Sequence, residues 1–159
     1  MRYYFLAFFL VCIWVSCDSS QKPPTALRTE IVEIWDDGLP KLVQLFDLGN
    51  EAHQAVREIH YYPDGQKYME GPLLEGKRHG KWQSWYKSGM LWSTGDFEAG
   101  LRQGRGTIYH SNGKKFMEGN YLHGKRVGKW KFWDQAGNSI TEAEALQLAP
   151  VSDDYHTDD

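Results

Sequence analysis

The chain has 159 residues, of which 41% are hydrophobic and 14% aromatic, and its formal net charge is −3. That size suits one small globular or solenoid domain. Both cysteines, Cys12 and Cys17, lie near the N-terminus, which excludes a disulfide framework for the rest of the chain.

Residues 1–16 read as a signal peptide. One arginine precedes an apolar run that ends at Ser16, too short to span a bilayer, which takes about 20 residues. The segment is similar to lipoprotein signals, in which the cysteine after the run is acylated. That resemblance makes Cys17 the lipidation site and implies a membrane-anchored protein at a bacterial cell envelope, facing the periplasm or the exterior. Residues 17–29 then form a polar, proline-containing tether. Residues 30–62 read as the degenerate first unit of a repeat, because Glu33-Ile-Trp-Asp-Asp-Gly38 parallels Ile59-His-Tyr-Tyr-Pro-Asp-Gly65.

The repeat organises residues 30–138. Gly71-Pro-Leu-Leu-Glu-Gly-Lys-Arg-His-Gly-Lys-Trp82 returns as Gly119-Asn-Tyr-Leu-His-Gly-Lys-Arg-Val-Gly-Lys-Trp130, with a weaker copy from Gly95 to Gly106 midway. The period is 24 residues, and 14 of the 16 glycines lie between positions 65 and 137. Each unit carries two turn signals, Pro63-Asp-Gly65 and Gly76-Lys-Arg-His-Gly80 in the first full copy. Short runs rich in Trp, Tyr, Phe and Ile separate them and read as strands of about five or six residues. Trp82 and Trp85 have opposite parity, as do Tyr68 and Leu73. Either both sheet faces carry aromatics or bulges shift the pleat, with Gly71, Gly95 and Gly119 as candidate bulge positions. The expected fold is all-β: an extended antiparallel β-meander of 24-residue repeats, closed by a short helix.

These motifs, Tyr-Tyr-Pro-Asp-Gly65, Met-Glu-Gly71 and Gly-Lys-Arg-His-Gly-Lys-Trp82 with their later copies, resemble the MORN-repeat variant found in the YwqK-type antitoxin family. The resemblance covers about residues 30–138. It implies a β-meander used for protein or membrane contacts, and an antitoxin- or immunity-like role.

Residues 139–149 read as a helix with a Thr141/Glu144 capping box and a stop at Pro150, its Ile140, Ala143, Leu146 and Ala149 covering the last strand edge. Residues 150–159 read as an acidic disordered tail. Charge is uneven: residues 58–138 hold 13 basic against 8 acidic side chains, a surplus of +5, while 139–159 hold 6 acidic and no basic ones. Lys77, Arg78, Lys81, Arg102, Arg105, Lys125, Arg126 and Lys129 would supply a basic face to the repeat block.

No motif points to catalysis. Gly71-x-x-x-x-Gly76-Lys77 has P-loop spacing, but arginine follows where Ser or Thr is needed for magnesium, and no helix follows. This argues against nucleotide binding. The histidines have no metal-ligand spacing and read as solvated. No nucleophile has a recurring partner, and Glu70 and Glu118 read as surface carboxylates offsetting nearby lysines. The sequence therefore predicts neither enzyme activity nor a metal or other cofactor. Export argues against nucleic acid as a partner. The aromatic columns read as core, as a peptide groove or as a glycan platform. Together these features favour binding of an unidentified envelope protein. Trp82, Trp85, Tyr109, Trp130 and Trp133 would give contact area, and Lys77, Arg78, Lys125 and Arg126 would steer the encounter. Binding of a wall or surface glycan is the alternative.

Overall fold

The computed structural model describes residues 26–49 and 53–148. Cys17, the signal peptide, the tether up to residue 25 and the acidic tail lie outside them. The strands are β1 (Leu27–Ile34), β2 (Pro40–Asp47), β3 (Ala55–Tyr61), β4 (Lys67–Leu74), β5 (Lys77–Arg78) and β6 (Gly80–Trp85). They continue as β7 (Leu91–Glu98), β8 (Leu101–Tyr109), β9 (Lys115–Leu122), β10 (Lys125–Trp133) and β11 (Ser139–Ile140), before helix α1 (Glu142–Gln147). All form one antiparallel sheet in chain order, with the short β5 pairing β4. The fold is the β-meander the repeat implies. Most strands run to eight or nine residues, longer than the sequence suggests. The first strand begins at Leu27, three residues inside the expected tether.

Two kinds of turn alternate. At one end of the sheet the turns are Glu75-Gly76, Ala99-Gly100 and His123-Gly124. All six residues have positive φ, from 50° at Ala99 and His123 to 88° at Gly100. Two such residues in succession make the two-residue hairpin whose twist matches that of the flanking strands. At the other end lie Pro63-Asp-Gly65 and its copies, in which the glycine N–H donates back to the carbonyl of Tyr62, Tyr86, His110 or Asp134.

Two irregularities per unit decide which way side chains point. Gly95 pairs Gly106 and Asp96 pairs Gln103, which leaves Gly104 and Arg105 as two extra residues in β8. The same break recurs opposite Gly71 and Gly119, at Gly80 and Gly128. The extra residues therefore sit on the strands facing Gly71, Gly95 and Gly119, which are not themselves bulged. They sit there because Gly80, Gly104 and Gly128 take left-handed φ of 70°, 73° and 66°, which a side chain would oppose. The second irregularity is a single extra residue, and it falls on the aromatic column. Tyr68, Trp92 and Phe116 are each skipped in the register with the preceding strand. One extra residue reverses the alternation, so Lys67 and Glu70 come to share a face, as do Lys115 and Glu118. Both options left open by parity are realised: bulges shift the pleat, and both faces carry aromatics.

A ladder of side-chain bonds ties the hairpins together. The Tyr62 hydroxyl donates to the carbonyl of Trp85 at 2.8 Å, and that of Tyr86 to Tyr109 at 2.7 Å. His110 Nε2–H donates to Trp133 at 2.9 Å, and the Trp35 indole donates to Tyr61 at 3.2 Å in the irregular first unit. The ladder stops at Asp134, whose carboxylate instead accepts from the backbone and side chain of Asn138. The carbonyl rung fixes the His110 tautomer, since Nε2 must carry the proton. His110 is therefore a buried structural donor, 1% exposed, and not the solvated histidine its sequence position suggests. Its ring packs edge-on against Phe116.

The far end is closed as an end unit must be. Thr141 caps α1 and forms the capping box with Glu144. Ser139 and Ile140 pair with β10 before the helix starts. Ala145, at 2% exposure, packs with Phe116 and Phe132. Of the residues expected to cover the edge, Ile140 pairs with Phe132 and packs against this cluster, whereas Leu146 is 76% exposed, Ala143 is solvent-facing and Ala149 lies outside the described residues. A six-residue helix with Ala145 inward turns that stripe to solvent.

Candidate functional site

The two faces of the sheet divide the predicted site residues. On the first face, an aromatic residue stands directly opposite an arginine in two hairpins: Phe97 with Arg102 and Tyr121 with Arg126, while Leu73 faces Arg78 in the earlier one. This places Arg78, Arg102 and Arg126 at equivalent positions in successive units. Their guanidinium planes interleave with the rings. Arg78 lies 4.6 Å from the Trp82 centroid and 5.6 Å from that of Phe97. Arg102 lies 5.2 Å from Phe97 and 5.4 Å from Tyr121. Arg126 lies 4.3 Å from Trp130 and 5.6 Å from Phe132. Each is within the range at which a ring quadrupole attracts a cation, about 6 Å.

The glycines make this stack possible. The ring of Trp82 lies flat over Gly71 and that of Trp130 over Gly119. A Cβ on either glycine would fall 2.2 Å from indole carbon. Gly106 stands where the other units have tryptophan, and the Tyr121 ring closes over it, 2.8 Å from where a Cβ would be. Over Gly95, where an indole from position 106 would rest, lies the Arg102 guanidinium, 3.3 Å from where a Cβ would be. The Gly106 gap therefore moves an arginine into the aromatic stack. Trp82 donates its indole N–H to the Pro72 carbonyl at 3.0 Å, whereas that of Trp130 is buried and makes no hydrogen bond among the described residues.

Between the units, Arg78, Phe97, Leu101, Arg102 and Tyr121 line an open groove of about 520 Å³. At the helix end the stack is closed: Glu142 of α1 bonds Arg126 at 2.8 Å. Trp82 is only 3% exposed, so it supports the arginine–aromatic stack from beneath and offers little contact area itself.

The second face carries Trp85 and Trp133 in a different setting, and that setting repeats at 48 residues. Lys67 lies over Trp85 and Lys115 over Trp133, at 5.4 and 5.9 Å. Lys67 pairs with Glu70 at 2.8 Å, and Arg57 reaches the same carboxylate at 3.3 Å. Lys115 pairs with Glu118 at 2.7 Å, and Arg105 bonds the same carboxylate. Burial opposes ionisation of Glu70, but Lys67 and Arg57 outweigh it and hold its pKa below 4.5. Lys115 and then Arg105 hold Glu118 below the same value. A depressed folded-state pKa gives stability that is present above the unfolded value and lost as pH falls through the folded one. The melting temperature should therefore hold steady at neutral pH and fall below about pH 4. Glu118→Gln should flatten that fall, a difference that thermal melts across pH would read.

The basic residues thus do not form one face. Arg78, Arg102 and Arg126 join the aromatics, while Lys81 pairs with Asp96 and Arg105 with Glu118 on the other side. Arg78, Arg102 and Arg126 are the middle of the three residues between the turn glycines and so precede the bulge, whereas Lys81 and Arg105 follow the second of those glycines. Lys77 and Lys125 are exposed at the hairpin ends beside Arg78 and Arg126. Tyr109 is half-buried and contributes its carbonyl to the Tyr86 rung. Sequence reasoning does not place Arg102 and Phe97 among the contact residues, although Arg102 occupies the same place after its turn glycine as Arg78 and Arg126.

Ser84 and Ser93 are buried and bond each other at 2.6 Å. Among the described residues no group of three or more His, Cys, Asp or Glu is placed to hold a metal ion.

Fold and site together define a β-repeat protein with a binding-type surface. The family model described as the MORN repeat variant matches residues 78–99 and again residues 102–123. The two matches start 24 residues apart (102 − 78), one at Arg78 and the other at Arg102, so each takes one structural unit beginning at a stacked arginine. No curated protein and no solved structure gave a match to the chain.

Proposed function

We propose that this chain is a non-enzymatic repeat lipoprotein, anchored through Cys17, that binds a protein partner at the cell envelope through its aromatic–arginine face. The observation that carries the reading is the open groove at Arg78, Phe97, Arg102 and Tyr121. It combines aromatic area with planar cations held in place, the residue types enriched at interface anchors. Rigid, stacked side chains lose little freedom on binding, which favours affinity. The resemblance to the antitoxin family gives the sharper version, an immunity-like protein that blocks an envelope-directed toxin.

The glycan alternative has less support. A sugar needs a bare aromatic ring face, and Trp82, Trp85, Trp130 and Trp133 each have a cation over the ring.

Crosslinking pull-down from native membranes, wild type against Cys17→Ala, tests the proposal. A saturable protein partner lost with the anchor supports it, and relief of that partner's toxicity by co-expression supports the immunity-like version. A blank capture from a protein that remains membrane-bound overturns it.

A further inference from the structure

The arginine ladder has a specific geometry for an acidic ligand. Arg78, Arg102 and Arg126 occupy equivalent sites, each two strands from the next, which places successive ones about 10 Å apart at the usual strand separation. An extended peptide in the polyproline II form advances about 9 Å in three residues and returns each third side chain to the same side. Carboxylates three residues apart would therefore meet successive arginines without bending the peptide. Stacking between rings fixes the guanidinium planes, and a fixed fork favours bidentate pairing with a carboxylate.

The molecule already uses one rung this way. Glu142 enters from α1 and bonds Arg126 at 2.8 Å while Arg126 stays stacked on Trp130. At the other end Glu58 stands near enough to Arg78 for that charge to contribute to its lowered pKa, behind the larger effects of His60 and Gln44. The stretch between, centred on Arg102, is the open groove.

We infer that the groove centred on Arg102 is a receptor for an extended acidic segment of a protein partner, with Asp or Glu at every third residue, and that Glu142 is an internal mimic of one such carboxylate. This rests on the protein-binding reading above and names the partner's chemistry. Leu101, which is exposed, and Tyr121 take the backbone and spacer residues of the segment, and Arg102 and Arg78 take its carboxylates.

The test uses the folded full chain and two labelled peptides followed by fluorescence anisotropy. One contains three Asp-Pro-Pro units; the other has the same composition with its three aspartates adjacent. The spaced peptide should bind saturably and at least ten-fold more tightly than the clustered one. Arg102→Gln should weaken it at least ten-fold, while Lys81→Gln, which removes the same charge from the other face, leaves it unchanged. A second variant avoids dependence on loss of function: Glu142→Gln opens the third rung, so the spaced peptide should bind several-fold more tightly. Equal binding of the two peptides, no binding of either, or an unchanged affinity in both Arg102→Gln and Glu142→Gln overturns the inference. So does Arg102-dependent sedimentation with phosphatidylserine/phosphatidylcholine vesicles when neither peptide binds, since the ladder would then serve a lipid surface. If the membrane pull-down yields a partner that Arg102→Gln still captures, this inference fails and the broader reading stands. If no partner is captured by any variant, the broader reading itself fails.

Discussion

Gly71→Ala and Gly119→Ala should each destabilise the protein by about 3 kcal/mol, the upper end of the usual cost of overpacking. The added methyl would lie 2.2 Å from the Trp82 or Trp130 ring, and the atoms it meets are ring-fusion carbons held on the sheet. The ring must leave its seat, and with it goes the stacking surface for Arg78 or Arg126. The other glycines in the same row set an internal scale. Gly106→Ala meets the Tyr121 ring at 2.8 Å, and Gly95→Ala meets only the end of the Arg102 side chain at 3.3 Å. The expected order of cost is Gly71 and Gly119 first, then Gly106, then Gly95. Thermal or urea melts of the four variants check it. A Gly119→Ala protein as stable as Gly95→Ala would show that the indole is not seated as described. Gly95→Ala is useful in its own right, because displacing Arg102 should perturb the groove at small cost to the fold.

Tyr62→Ala should cost about 3–5 kcal/mol, the range for emptying a large buried aromatic site. Tyr62 has no exposed surface, packs on Tyr68 and bonds the next hairpin through Trp85. Tyr62→Phe keeps the ring and removes the bond, and should cost about 1 kcal/mol. The difference separates ring packing from the rung. A repeat protein is held by nearest-neighbour interfaces, so the damage should be local as well as global. Amide exchange in the Tyr86–Met90 turn should quicken more in Tyr62→Phe than exchange at the Asp134–Asn138 turn. Uniform quickening would contradict the view that each rung joins one hairpin to the next.

The periodicity was legible because glycine fulfils the same backbone task in every copy. Gly65, Gly76, Gly80 and their equivalents mark turns and bulges by residue type alone, so element order and topology could be read directly. The faces were harder. The bulged residues are Tyr68, Trp92 and Phe116, and nothing in an aromatic column distinguishes a bulged position from a regular one. Without those bulges Lys67 and Glu70 would lie on opposite faces, and the Glu70 and Glu118 clusters would not assemble.

His110 was hidden for another reason. The column Tyr62, Tyr86, His110 preserves a ring that bears a hydrogen-bond donor, not a residue type, so it shows as a repeat only when its chemistry is compared. Arg102 was obscured because its unit has leucine where the others have lysine after the turn glycine, and glycine where they have tryptophan. The departure at Gly106 is what brings Arg102 over Gly95. The signal was the position itself, two residues after Gly76, Gly100 and Gly124.

If the aromatic–arginine face is the contact surface and the carboxylate face is not, a photo-crosslinking side chain will distinguish them. It is placed at Leu101, in the groove, and separately at Lys129, on the opposite face. Both positions are exposed, so neither is silenced by burial. In native membranes a discrete protein adduct is expected from position 101 and none from position 129. A discrete adduct from position 129 with none from 101 would contradict this and move the binding surface to the face of Glu70 and Glu118.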